Sequence, residues 1–233
     1  MREIVLDTET TGLDPAQGHR LVEFAGLELL DRVPTGRHLH FFACPERDMP
    51  GEAEAVHGLS AAFLADKPRF AEMAGALLDF IGDAMLVAHN APFDMRFLNA
   101  ELERAGWPPL SPMRVIDTLE LARRALPGAK HSLDALCTRF GIDRSARVQH
   151  GALIDAELLA EVYVELTGGR QIGFDLMLTN VAANDGPPPV RELVPPRDFP
   201  VAADELAAHL AFVQGIKDSI WARLAPKRHA APQ

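Results

Sequence analysis

The chain has 233 residues, of which 48% are hydrophobic and 24% charged, a mix that excludes collagen-like, disordered and disulfide-scaffold classes and suffices for one large domain with an appendage. With 23 Lys plus Arg against 33 Asp plus Glu, the net charge of −10 makes the whole molecule repel nucleic acid, so any such role needs a local site built on bound cations or a basic strip. Only two cysteines, no leader pattern and no apolar run near the ~18 residues of a bilayer span predict a cytoplasmic protein with no membrane segment.

In chain order, residues 3–7 (Glu-Ile-Val-Leu-Asp) form an apolar β-type run ending in a carboxylate, and 21–30 and 38–42 predict two further strands of a hairpin meander. Helices are predicted at 70–82, 92–106, 118–126, 132–141 and 151–168, with strands at 85–89 and 114–116 between them. A mixed sheet covered by helices, an α/β fold, is the economical arrangement. The stretch 114–150 is locally basic, with Arg114, Arg123, Arg124, Lys130, Arg139, Arg144 and Arg147 against Asp117, Glu120, Asp134 and Asp143. Beyond the domain at 1–169, residues 170–200 carry Gly173, Gly186, Pro187, Pro188, Pro189, Pro195, Pro196 and Pro200 and read as a flexible linker. The tail, 201–233, holds one isolated helix, about 202–224. Leu206, Leu210, Val213, Ile216, Ile220 and Leu224 form a stripe along it, with Trp221 beside them.

Asp7 and Glu9 lie two residues apart at a strand end, so a period of two puts both on one face of the sheet. Asp94 falls in the first turn of the helix opened by Asn90 and Pro92, where a carboxylate complements the helix dipole. Yet Phe97 and Leu98, three and four residues on, put it at the edge of the buried face. Asp155 repeats the anomaly among Ala152, Leu158 and Leu159, and a carboxylate so placed is costly unless it is paired or binds a metal. His150 stands five residues earlier, ahead of the same helix. Each residue alone has a bland reading as solvated, dipole-complementing or exposed. Together, four carboxylates from three elements and one imidazole suit hard cations such as Mg²⁺ or Mn²⁺ better than zinc.

The strings Ile4-Val5-Leu6-Asp7-Thr8-Glu9-Thr10-Thr11-Gly12, Val56-His57-Gly58-Leu59, Ala88-His89-Asn90-Ala91-Pro92-Phe93-Asp94, Ser132-Leu133-Asp134-Ala135-Leu136-Cys137 and His150-Gly151-Ala152-Leu153-Ile154-Asp155 resemble the motifs of the DEDD exonucleases with a catalytic histidine. More closely, they resemble the epsilon family of proofreading subunits of bacterial DNA polymerase III, over about residues 3–169. The resemblance implies a ribonuclease-H-like fold, two divalent cations and removal of nucleotides from a single-stranded or frayed DNA 3' end. It makes Asp7, Glu9 and Asp155 direct metal ligands, Asp94 the residue completing the site and His150 the general base. It also implies that Asp7, Glu9, Thr10, Glu52, His57 and Asp155 touch the terminal nucleotide, with Leu13 and Phe93 packed on its base. Lys130, Arg144 and Arg147 are candidate phosphate contacts.

For the remainder of the chain, the resemblance implies a sliding-clamp peptide at 171–176 with Gln171, Phe174 and Leu176 as anchors, and docking of the tail helix on the polymerase catalytic subunit. An additional small subunit stays open. The expected function is proofreading 3'-5' exonuclease activity. The alternatives are an RNA-directed exonuclease of the same family, which has no use for a tether and a lone helix, and a non-catalytic adaptor between polymerase and clamp, which has no use for the carboxylates.

Overall fold

The computed structural model of the chain describes residues 1–145, 149–168 and 201–217. Five strands, β1 (Arg2–Thr10), β2 (Leu21–Leu30), β3 (Val33–Phe42), β4 (Met85–Ala88) and β5 (Val115–Asp117), form one sheet in the order β3-β2-β1-β4-β5. The first three pair antiparallel, whereas β4 runs parallel to β1 and β5 parallel to β4. The helices are α1 (Gly51–His57), α2 (Ala61–Leu64), α3 (Phe70–Ile81), α4 (Ala91–Arg104), α5 (Thr118–Ala125), α6 (Leu133–Phe140), α7 (Ala152–Leu166) and α8 (Ala203–Gly215). The mixed sheet flanked by helices is therefore the observed architecture.

Alternation along β1 decides what lies on each face. Ile4 and Leu6 join Phe24, Phe70, Leu77 and Leu98 in one core that takes in α3 and α4. Val5 joins Leu29, Val87, Leu159 and Tyr163 in a second core against α7. A strand with a period of two thus turns Asp7 and Glu9 toward α7 and Thr8 toward α4. The sheet polarity brings the ends of β1 and β4 together, the place where open α/β sheets build their sites.

Several elements depart from the sequence-based expectation. β1 continues past its carboxylate to Thr10, and β3 begins at Val33 rather than residue 38. Pro34 and Gly36 look like turn residues, but β3 is an edge strand, where a missing N–H costs no ladder bond, and a register shift between Leu27 and Leu29 absorbs the irregularity. The short helices α1 and α2 were not predicted. The former starts at Gly51 with no side-chain cap, and the latter is a single turn capped by Ser60, both too brief for a periodic signal. Helix α8 belongs to a separate unit (179–233) and stops at Gly215, with Ile216 extended. Glycine is a poor helix former, so Ile216 leaves the stripe that the sequence continued through it. On α8, Leu206 and Leu210 are about half exposed, at 49% and 52%. Residues 169–200, and Ile220, Trp221 and Leu224, lie outside the described residues, as does Arg147. Among the described residues no helix is long and apolar enough to cross a membrane.

Candidate active site

Three elements deliver the four carboxylates. Asp7 and Glu9 come from the end of β1, and Ala25, the β2 partner of Asp7, packs with Ala152 and Ala156 of α7. These small side chains let the first turns of α7 approach the sheet, carrying Asp155, only 3% exposed, toward β1. Asp94, equally buried, comes from the first turn of α4 and accepts a 2.7 Å hydrogen bond from the Thr8 hydroxyl. That helix is launched by Asn90 in the left-handed conformation (φ 64°), and the Asn90 N–H donates to Asp117 Oδ1 at the end of β5. His150 lies just before α7, its Nδ1 3.1 Å from Asp155 Oδ2 and its backbone N–H donating to the Val56 carbonyl. Ligand atoms of Glu9, His150 and Asp155 all lie within 4.8 Å of one another.

The electrostatics follow from this crowding. Burial, followed by the charges of Asp94, Glu9, Asp155 and Glu23, holds the Asp7 carboxyl well above the usual carboxylate range. Burial pushes Asp94 up to about 7, although the Thr8 hydroxyl and neighbouring backbone donors favour its charged form. Gathered acids that resist ionisation are what a divalent cation relieves, because its charge reverses the local preference. An all-carboxylate set with one imidazole also has the oxygen-rich chemistry that hard cations take. The residues therefore fit a divalent metal centre.

Around this cluster the expected nucleotide contacts fall into two groups. Thr10 is buried and its hydroxyl donates to the Gly12 carbonyl at 2.6 Å, while Leu13 is 78% exposed, which rules out a core role for it. Phe93 is partly buried with its ring 5.1 Å from that of Phe97. His57, on α1, is buried and its Nδ1 accepts from the Leu59 N–H. Burial lowers its pKa against the pull of the Thr10 carbonyl, and it feels Glu23 and His150, which places it beside the cluster. Glu52 is exposed on the same helix. Gly58 follows His57 at φ 75°, and a Cβ there would run into the Gln149 carboxamide. Only glycine lets the end of α1 seat the loop that carries His150. Among the candidate phosphate contacts, Lys130 is exposed and Arg144 pairs with Asp134 at 2.8 Å.

One residue escaped the sequence reading. Glu23 is 4% exposed on β2, directly opposite Glu9 in the register. Its Oε2 accepts from the Ala152 N–H at 3.1 Å and its Oε1 lies 2.7 Å from His40 Nε2. The available signal was a carboxylate inside the otherwise apolar run Leu21-Val22-Glu23-Phe24-Ala25.

Comparisons with known proteins agree with this geometry. The family described as Exonuclease (RNase_T) matches residues 4–163. The DNA polymerase III subunit epsilon of Rickettsia felis is 55% identical over 188 residues, spanning 79% of this chain and 82% of that protein. The subunit of the same name from Escherichia coli K12 is 46% identical over 176 residues, spanning 72% of each. Among solved structures, Exonuclease X in complex with 5' overhanging duplex DNA superposes with a TM-score of 0.56 at 28% identity, over 71% of this chain and 90% of that one.

Proposed function

The chain belongs to the exonuclease family, and on that premise we infer that it is the 3'-5' exodeoxyribonuclease that proofreads for a replicative DNA polymerase, releasing nucleoside monophosphates. The observation that carries this reading is the convergence of Asp7, Glu9, Asp94 and Asp155 from β1, α4 and α7, with His150 against Asp155. Members of the family work with divalent metal ions, and Mg²⁺ or Mn²⁺ suits this donor set. Asp7, Glu9 and Asp155 would hold two such ions, with Asp94 completing the site. Bound there, the cations supply an activated water and stabilise the leaving 3' oxygen. His150 takes the proton from the attacking water, held by Asp155 and by the Val56 carbonyl. Thr10, Glu52 and His57 bind the terminal nucleotide, and exposed Leu13 and partly buried Phe93 cover its base. A mismatched end enters more readily because less pairing energy is lost on melting it.

Purified protein with Mg²⁺ and a 3'-mismatched primer should release mononucleotides faster than with a paired primer, and an RNA oligomer should be a poor substrate. No release with either metal, or equal release from RNA, would overturn the reading.

The relatives are polymerase subunits, and the tail supports the same association. Residues 201–233 dock on the polymerase catalytic subunit through the apolar side of α8, and 171–176 bind the sliding clamp through Gln171, Phe174 and Leu176, with 170–200 as tether. Such a tether raises the local concentration of nuclease at the primer end, offsetting the weak DNA affinity of an acidic protein. The protein acts in the cytoplasm. Truncation after Gly169 should leave activity on single-stranded oligonucleotides nearly unchanged, while abolishing co-purification with the polymerase subunit and lowering clamp affinity. Retained co-purification would place the docking site within 1–169.

A further inference from the structure

We propose that Glu23 is a positioning residue of the exonuclease, capping α7 from a neighbouring strand and thereby fixing Asp155 and His150 against β1. Helix α7 has no cap of its own, since Gly151 at its N-cap has no side chain. The first N–H groups of a helix need acceptors, and here Ala152 finds one in Glu23 Oε2 at 3.1 Å, across 129 residues of sequence. The carboxylate is also favoured by the helix dipole. Its other oxygen is anchored by His40 on β3, so one side chain links β2, β3 and the start of α7.

The placement gives this link its meaning. Glu23 stands opposite Glu9 in the β1–β2 register, and two acids facing each other across strands repel unless something engages them. Glu23 is engaged by α7 and by His40. The capped residue, Ala152, lies between His150 and Asp155 and packs on Ala25, the partner of Asp7. A helix start that slips by a fraction of an ångström would carry the general base and one carboxylate with it, and groups that orient metal ligands in this way are worth about 10–100-fold in affinity or activity.

The inference rests on the reading of Asp155 and His150 as site residues, and its test separates the two. The full chain carries Glu23→Ala, Glu23→Gln, or Glu23→Ala with Gly151→Ser. A serine fits at 151, where the backbone is extended (φ −163°) and an added Cβ meets nothing within 4 Å, and it would cap α7 locally. Single-turnover nuclease rates, KM for a single-stranded oligonucleotide, Mn²⁺ binding by electron paramagnetic resonance and thermal melting are measured for each.

Glu23→Ala is expected to lower kcat and Mn²⁺ affinity each by about 10–100-fold with KM changed about twofold at most. Glu23→Gln, whose amide oxygen still accepts from Ala152, should recover most of both. The added serine should recover the melting temperature without recovering rate or Mn²⁺ binding. Unchanged kcat and Mn²⁺ affinity in Glu23→Ala, or recovery of both by the local serine cap, would overturn the proposal. An unsubstituted chain that binds Mn²⁺ but releases no nucleotide would instead overturn the nuclease reading, and Mn²⁺ binding by the variants would still decide the role of Glu23.

Discussion

Asp7→Ala or Asp155→Ala is expected to lower nucleotide release by about three orders of magnitude or more, while the protein still folds cooperatively. A two-metal centre contributes several kcal/mol of charge stabilisation to the reaction, and each 1.4 kcal/mol or so is a factor of ten in rate. Losing a carboxylate that would hold those ions would forfeit most of that. The fold survives because these carboxylates are not what hold it together. Ile4, Leu6 and Val5 bury their side chains completely on the two faces of the sheet, whereas Asp7 sits beside Asp94, Glu9, Asp155 and Glu23 and is destabilised by all of them. Removing it relieves repulsion, so metal-free Asp7→Ala should melt at or above the temperature of the unsubstituted protein. His150→Ala should be milder, about 10²–10⁴-fold, the usual worth of a general base. Single-turnover assays in Mn²⁺ and thermal melts of the metal-free proteins would show it, and substantial turnover by metal-loaded Asp7→Ala would remove Asp7 from the site.

The carboxylates were legible because their chemistry is local. Asp7 and Glu9 share a face through the period of a strand, and Asp94 and Asp155 each interrupt a buried helical face, so spacing alone marks them as anomalous. That the four meet is a property of topology. Val5 and Leu159 lie in the same core, which turns odd residues of β1 toward α7, and no local pattern predicts that pairing. The parts that sequence missed are those fixed by distant partners. Glu23 is intelligible only once Ala152 is placed beside it, and Gly58 only once Gln149 lies over it. The start of β3 was hidden because Pro34 and Gly36 carry turn signals that an edge position tolerates. Helix α8 is described over Ala203–Gly215, and the rest of the predicted stripe, at Ile220 and Leu224, lies outside the described residues.

The metal-free protein is expected to lose stability as pH rises from about 6 to 8, and a divalent cation should cancel that loss. Asp94 titrates near 7 in the folded chain and Asp7 well above the ordinary range, whereas both titrate near 4 when unfolded. Between those values the folded state holds protons that the unfolded state has released, so the slope of stability with pH is negative. Their favourable contribution is complete below about pH 4 and disappears as pH rises through the folded values. His57 and His89 work in the opposite sense, because burial lowers both, and their contribution is lost as pH falls below the usual histidine range. Between about pH 4 and 6.5 the two effects oppose each other, and above that range only the carboxylates still change, so the alkaline limb is theirs. Asp94→Asn should flatten that limb. Mn²⁺ binds the ionised carboxylates, so protons compete with it, and at about 100 times its dissociation constant it adds about 2.7 kcal/mol at pH 8 but little at pH 5. Thermal melts of the metal-free and Mn²⁺-loaded protein across this range test both signs. A metal-induced gain that does not vary with pH would mean that the cation binds somewhere other than the Asp7 and Asp94 carboxylates.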